Sequence, residues 1–97
     1  ILLNARHEAI RTEVISVGSL NASIVHPREV FLPAILHSAA SVIVAHNHPS
    51  GSPAPSEEDL AITRRLVEVG ELLGIGLLDH VIISSRGVVS FRAEKLL

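Results

Sequence analysis

The chain contains no cysteine, tryptophan, tyrosine or methionine, and Phe31 and Phe91 are its only phenylalanines. Without cysteine there is neither a disulfide framework nor a thiolate metal site, so any metal would be held by nitrogen and oxygen. Two phenylalanines are a poor supply of platforms for stacking bases. Eight basic and ten acidic residues leave a formal charge of −2, which lacks the basic excess expected of a nucleic-acid surface. No apolar run approaches the ~18 residues needed to span a bilayer. No basic stretch followed by a short apolar segment marks a signal peptide at the start. These absences make a cytoplasmic location with no membrane association the expectation. Hydrophobic residues still make up 47% of the 97 positions. The core is therefore expected to be aliphatic, built from Leu, Ile, Val and Ala, in a single domain. The opening Ile1-Leu2-Leu3 starts in mid-pattern, as a fragment of something longer would.

The hydrophobic pattern reads as an α/β domain, a mixed sheet flanked by two helices. Ile1 to Leu3 suits the end of a buried strand, residues 4–8 a polar turn, and the alternating β-branched stretch Ala9 to Val17 a second strand, forming a hairpin. Gly18 to Asn21 is a break. Pro27 suits the first position of a helix, with Val30, Phe31, Ala34, Ile35 and Ser38 as its stripe, and Pro33 either starts or kinks it. The apolar run Val42 to Ala45 suits a central strand covered on both faces. A Pro/Gly/Ser/Ala loop over 49–55 leads to a helix from Ser56 to about Leu73, with Leu60, Thr63, Leu66, Val67 and Leu73 as its stripe and Gly74 as its stop. Strands over Leu77 to Ile83 and Val88 to Phe91, joined by a turn, complete the pattern.

The informative residues are the polar ones that interrupt this pattern. His46 and His48 stand two apart at the end of a buried strand, where extended backbone projects both to one side. Asp59 follows eleven residues later, in the first turn of the long helix. Two imidazoles and one carboxylate form the three-ligand set of catalytic zinc sites, which leave one position open for water. A plainer reading stands beside this one. Ser56-Glu57-Glu58-Asp59 is also a capping box, with Ser56 at the N-cap and an acid three residues on, which accounts for both residues without a metal but leaves the histidine pair unexplained. Asp79-His80, in a later strand, could orient a ligand imidazole, although the commoner role for such a pair is a structural hydrogen bond. Arg64 and Arg65 read as a solvated helix face, His26 as a helix-terminal contact, and His7 and His37 as surface residues.

His46-Asn47-His48-Pro49, six residues, Ser56, two residues and Asp59 together resemble the JAMM motif of the MPN+ metalloproteases. The longer strings HNHPSGSPAPSEED, TRRL at 63–66, LLDHVIIS at 77–84 and GSLNASIVHPREVF at 18–31 are similar to the bacterial RadC family over essentially the whole chain. The resemblance implies an MPN/JAB fold over residues 1–97, cytidine-deaminase-like and three-layered, lacking its N-terminal part. It also implies one zinc held by His46, His48 and Asp59, with Ser56 stabilising an oxyanion during hydrolysis of an amide or isopeptide bond in a peptide or protein substrate. The family mechanism further needs a glutamate base, expected before Ile1. Within the first 28 residues the only acids are Glu8 and Glu13, and Glu13 is the candidate carried forward. Asn47 between the histidines replaces the Ser or Thr of eukaryotic relatives. The alternatives are a non-catalytic metal-binding or interaction module and an accessory domain of a DNA-repair-associated protein. The edge of so small a sheet also offers a second copy of the chain a place to pair.

Overall fold

Leu2–Leu3 (β1) and Ala9–Arg11 (β2) form an antiparallel hairpin, closed by a turn in which the Asn4 side chain accepts hydrogen bonds from the amides of Arg6 and Glu8. The chain continues through Pro27–Leu36 (α1), Ser41–Asn47 (β3), Glu57–Leu73 (α2), Gly76–Ser84 (β4) and Gly87–Ser90 (β5). The structure is a computed structural model and describes residues 1–15, 26–48 and 51–97. The expected second strand is shorter than its alternation suggests. β1 offers a partner only as far as Leu2, which pairs with Arg11, so residues 12–15 have no ladder to join. Val17 and the break at Gly18 to Asn21 lie outside the described residues.

The five strands form one mixed sheet in the order β2-β1-β3-β4-β5, with β3 and β4 parallel and the other neighbours antiparallel. Because β1 is antiparallel to both β2 and β3, those two run the same way. The crossovers β2-α1-β3 and β3-α2-β4 therefore both advance in one direction across the sheet. Right-handed crossovers of that kind place both helices on the same face, and a single core confirms it. Val30, Phe31 and Ala34 of α1 and Ile62 and Leu66 of α2 pack with Leu2 and Val42 of the sheet, and with Val44 and Leu77 at the margin. Among the described residues no helix covers the opposite face, where Ala45, Ile83 and Val88 are exposed. The central strand is thus covered on one face by these helices, not on both.

The helices also differ in phase from their apparent stripes. α1 starts at Pro27 and runs through Pro33, and its buried residues are Val30, Phe31 and Ala34, while Ile35 is exposed and Ser38 lies beyond the helix. The buried face of α2 is Asp59, Ile62, Thr63, Leu66 and Gly70, a regular three-four spacing, and Leu73 is exposed. Hydropathy alone misses this face because two of its five members are polar and one is glycine. Gly70 lets α1 and the chain after α2 approach closely: a methyl group there would stand 2.4 Å from the Ile75 carbonyl oxygen and 3.4 Å from the Phe31 ring. Gly70→Ala is therefore expected to destabilise the domain by about 1–3 kcal/mol, as overpacking does. Urea unfolding of the variant beside the parent protein measures this, and equal midpoints would contradict the close contact.

Candidate metal centre

The site forms where the carboxyl end of β3 meets the amino end of α2. His46 lies within β3. His48 extends the same line one residue past it, its amide donating to the Ile83 carbonyl at 2.9 Å. Extended backbone turns both side chains to one side, and the ring centroids stand 4.9 Å apart. Ser56 caps α2, its hydroxyl accepting from the Asp59 amide at 3.1 Å while the Ser56 amide donates to Asp59 Oδ2 at 2.8 Å. The capping box is real, and so is the approach of the carboxylate to the histidines. Asp59 Oδ1 lies 3.2 Å from His46 Nε2, and Oδ2 lies 3.0 Å from His48 Nε2. The two readings of Asp59 hold together, because a carboxylate has enough lone pairs for both.

Each imidazole is held from behind. His48 Nδ1 meets the Ser52 carbonyl oxygen at 3.1 Å. A carbonyl can only accept, so Nδ1 carries the hydrogen, and Nε2 is the atom turned toward Asp59. His46 Nδ1 meets Nε2 of His80 at 2.9 Å, and Nδ1 of His80 meets the Thr63 hydroxyl at 2.6 Å. His80 is buried, stacked on Phe91 with ring centroids 4.3 Å apart. The Asp79-His80 pair thus divides its work. Asp79 binds the β5 side of the molecule, accepting from the Ser90 hydroxyl at 2.6 Å and the Arg92 amide at 3.0 Å. Only His80 reaches the site.

Electrostatics favour an ionised Asp59 and neutral His46 and His80. Burial alone would raise the pKa of Asp59. The Ser56 amide and hydroxyl, with His46 and His48 nearby, outweigh that and hold it below the ordinary carboxylate value. Burial depresses His46, and the neighbouring His48 adds to this, against an opposing pull from Asp59. Burial, then the proximity of His46, brings His80 down to about 4. Deprotonated ligands are what a metal requires. Among the described residues His46, His48 and Asp59 are a group able to hold a metal ion, with ligand atoms all within 4.8 Å of one another. A tetrahedral ion with bonds of ~2.0–2.1 Å separates its ligand atoms by about 3.4 Å. The His–Asp separations of 3.2 and 3.0 Å match this spacing, while the full spread of up to 4.8 Å would have to close by about 1.4 Å around the ion.

The remaining candidates fall elsewhere. Glu13 lies beyond β2, paired with the Arg11 guanidinium and 4.0 Å from His37. The hydrogen bond and charge of Arg11 lower its pKa, the wrong direction for a general base, and the structure does not bring it to the cluster. Glu8 is in the hairpin turn, accepting from Asn4. Thr63, read from the sequence only as part of a helical stripe, and the Ser52 carbonyl are the contributors that sequence reasoning missed. The available signal for Thr63 was its place one turn after Asp59 on the same helix face.

The family model for the RadC-like JAB domain matches residues 1–96. A UPF0758 protein of Methanococcoides burtonii is 58% identical over 94 residues, covering 97% of this chain and 41% of the relative. One from Alkaliphilus metalliredigens is 57% identical over 96 residues, covering 99% and 41%. One from Symbiobacterium thermophilum is 57% identical over 97 residues, covering 100% and 42%. The chain spans about two-fifths of the length of these relatives.

The depressed pKa of His80 has a consequence for stability in the metal-free protein. Between its ordinary 6.5 and about 4, the unfolded chain takes up a proton that the folded one refuses. Stability is therefore complete above the ordinary value and falls as pH drops through this window, by about 3 kcal/mol in all. Urea titrations in the presence of a chelator at several pH values should show the slope, and His80→Phe should flatten it. An unchanged slope in that variant would place its origin elsewhere.

Proposed function

Given that the chain belongs to the RadC-like JAB domain family, we propose that it is the catalytic domain of a zinc-dependent hydrolase acting on amide or isopeptide bonds in peptide or protein substrates. One observation carries the reading: two imidazole nitrogens and an ionised carboxylate converge at 3.0–3.2 Å, each backed by hydrogen bonds of its own. Three such lone-pair donors facing one another call for a cation between them. His46 Nε2, His48 Nε2 and Asp59 would hold zinc, and zinc bound there supplies a water acidic enough to attack a carbonyl at neutral pH.

The protein's own residues then have separate tasks. Asp59 contributes the negative charge, kept ionised by the Ser56 amide and hydroxyl. Ser56 Oγ accepts from the Asp59 amide, and its single hydroxyl hydrogen, directed at the Asp59 carboxylate in the resting site, would turn to a developing oxyanion. Ser56 is exposed at the mouth of the site, where a substrate carbonyl can reach it. Glu13, whose partners are Arg11 and His37, is not given the role of proton-accepting base.

Elemental analysis of the purified protein should find about one zinc per chain, and His48→Ala and Asp59→Asn should retain little of it. Hydrolysis of a peptide and isopeptide library by the purified protein should depend on the metal. Ser56→Ala should slow it by about 10²-fold or more, the scale of a lost oxyanion donor. Zinc binding without any cleavage would favour the non-catalytic metal-binding module. Unchanged zinc content in His48→Ala would remove the metal reading altogether.

A further inference from the structure

We propose that Thr63 and His80 are positioning residues that fix the tautomer of His46, so that its Nε2 is left as a bare lone pair for the metal. The proposal rests on the metal-centre reading, and it follows from counting hydrogens along one chain of contacts. For His46 to ligate through Nε2, its hydrogen must sit on Nδ1. That nitrogen faces Nε2 of His80 at 2.9 Å, which must then accept, so the hydrogen of His80 sits on Nδ1. Nδ1 in turn faces the Thr63 hydroxyl at 2.6 Å. The hydroxyl oxygen must accept there, and its one hydrogen must go elsewhere. It goes to the Asp59 backbone carbonyl, 2.8 Å away and one helical turn back.

Every link is filled in this direction and none is left over. The reverse direction runs Thr63 to His80 to His46 and puts a hydrogen on His46 Nε2, between the imidazole and Asp59, where it blocks the ligand atom. Thr63 favours the first direction because the Asp59 backbone carbonyl can only accept, so a hydroxyl hydrogen directed there leaves the Thr63 oxygen to accept from His80. The residue that supplies the carboxylate also anchors the far end of the chain that prepares the imidazole. His48 needs no such relay, since the Ser52 carbonyl that it faces can only accept. The chain has little freedom to rearrange, as Thr63 and His80 are both buried and His80 is stacked on Phe91.

Thr63→Val keeps the shape and removes both the acceptor for His80 and the donor to Asp59. Thr63→Ser keeps both. Competition with a chelator should show zinc held about tenfold or more weakly by Thr63→Val, the scale of a lost outer hydrogen bond at a metal ligand, and near the parent value by Thr63→Ser. Imidazole ¹⁵N shifts in the zinc-loaded parent protein should place the hydrogen on Nδ1 in both His46 and His80, a readout that a purely structural role would not produce. His80→Phe, which removes the acceptor for His46 while preserving a stacked ring, should weaken zinc like Thr63→Val and serves where the valine variant does not fold. Parent protein that binds zinc with His80 protonated on Nε2, or equal affinities across folded variants, would overturn the relay and leave the metal centre standing. Parent protein that binds no zinc would overturn the metal centre first.

Discussion

The carboxylate of Asp59 joins the helix to the strand, and the local architecture depends on how it does both. Its oxygens face His46 and His48 across 3.0–3.2 Å while Oδ2 also closes the cap of α2 with the Ser56 amide. Only 2% of the residue is exposed. A buried carboxylate without partners would be costly enough to take up a proton. Here the cap keeps it charged, and the charge gives the imidazole pair something to face. The helix start and the ligand set are consequently one object. A change at Ser56 or at Asp59 disturbs both together, so measurements of metal binding on either residue need a stability measurement alongside.

Much of this was legible before any coordinates. Alternation and turn residues located the hairpin, the helix beginning at Pro27, and the long helix from a capping serine to a glycine stop, because each rests on local chemistry. The grouping of His46, His48 and Asp59 was legible for another reason. His46 and His48 share a side through the period of extended chain, and Asp59 belongs to the first turn of a helix whose start is marked. Those two local statements, with a short loop between, made the meeting of the three groups suggestive, and the resemblance to the JAMM motif decided between it and a mere capping box.

What was not legible depends on pairing across the sheet. β4 aligns Leu77 with Val42 and Asp79 with Ile43, so Leu78 has no partner on β3. That bulge changes which residues face the helices. A plain two-residue period from Leu77 would put Asp79 beside it and turn His80 away. With the extra residue, His80 stands opposite Val44 and faces the core, and Asp79 turns to Ser90 and Arg92. No composition or spacing within residues 76–84 announces this, because the register belongs to two strands and not to one. Thr63 was hidden for a similar reason. A threonine inside an apolar stripe reads as a tolerated polar residue until the partner of its hydroxyl is known.

The position of the site also carries an electrostatic tension that the sequence resolves. Parallel strands with right-handed crossovers leave a crevice beyond their carboxyl ends, beside the amino ends of the following helices. The amino end of a helix carries roughly half a positive charge, which suits anions and opposes a cation. A metal centre built there needs local negative charge to exceed that field. α2 supplies it from within its own first turn, in Glu57, Glu58 and Asp59. Glu57 and Glu58 are exposed and screened by water, so their effect is modest at ordinary salt. Asp59 is buried and adjacent to the imidazole nitrogens, where one full charge at contact outweighs a half charge distributed over the helix terminus. The acidic first turn that a helix favours for its own stability is thus what makes this crevice acceptable to a cation, and the carboxylate that cannot be moved without losing that balance is the one at residue 59.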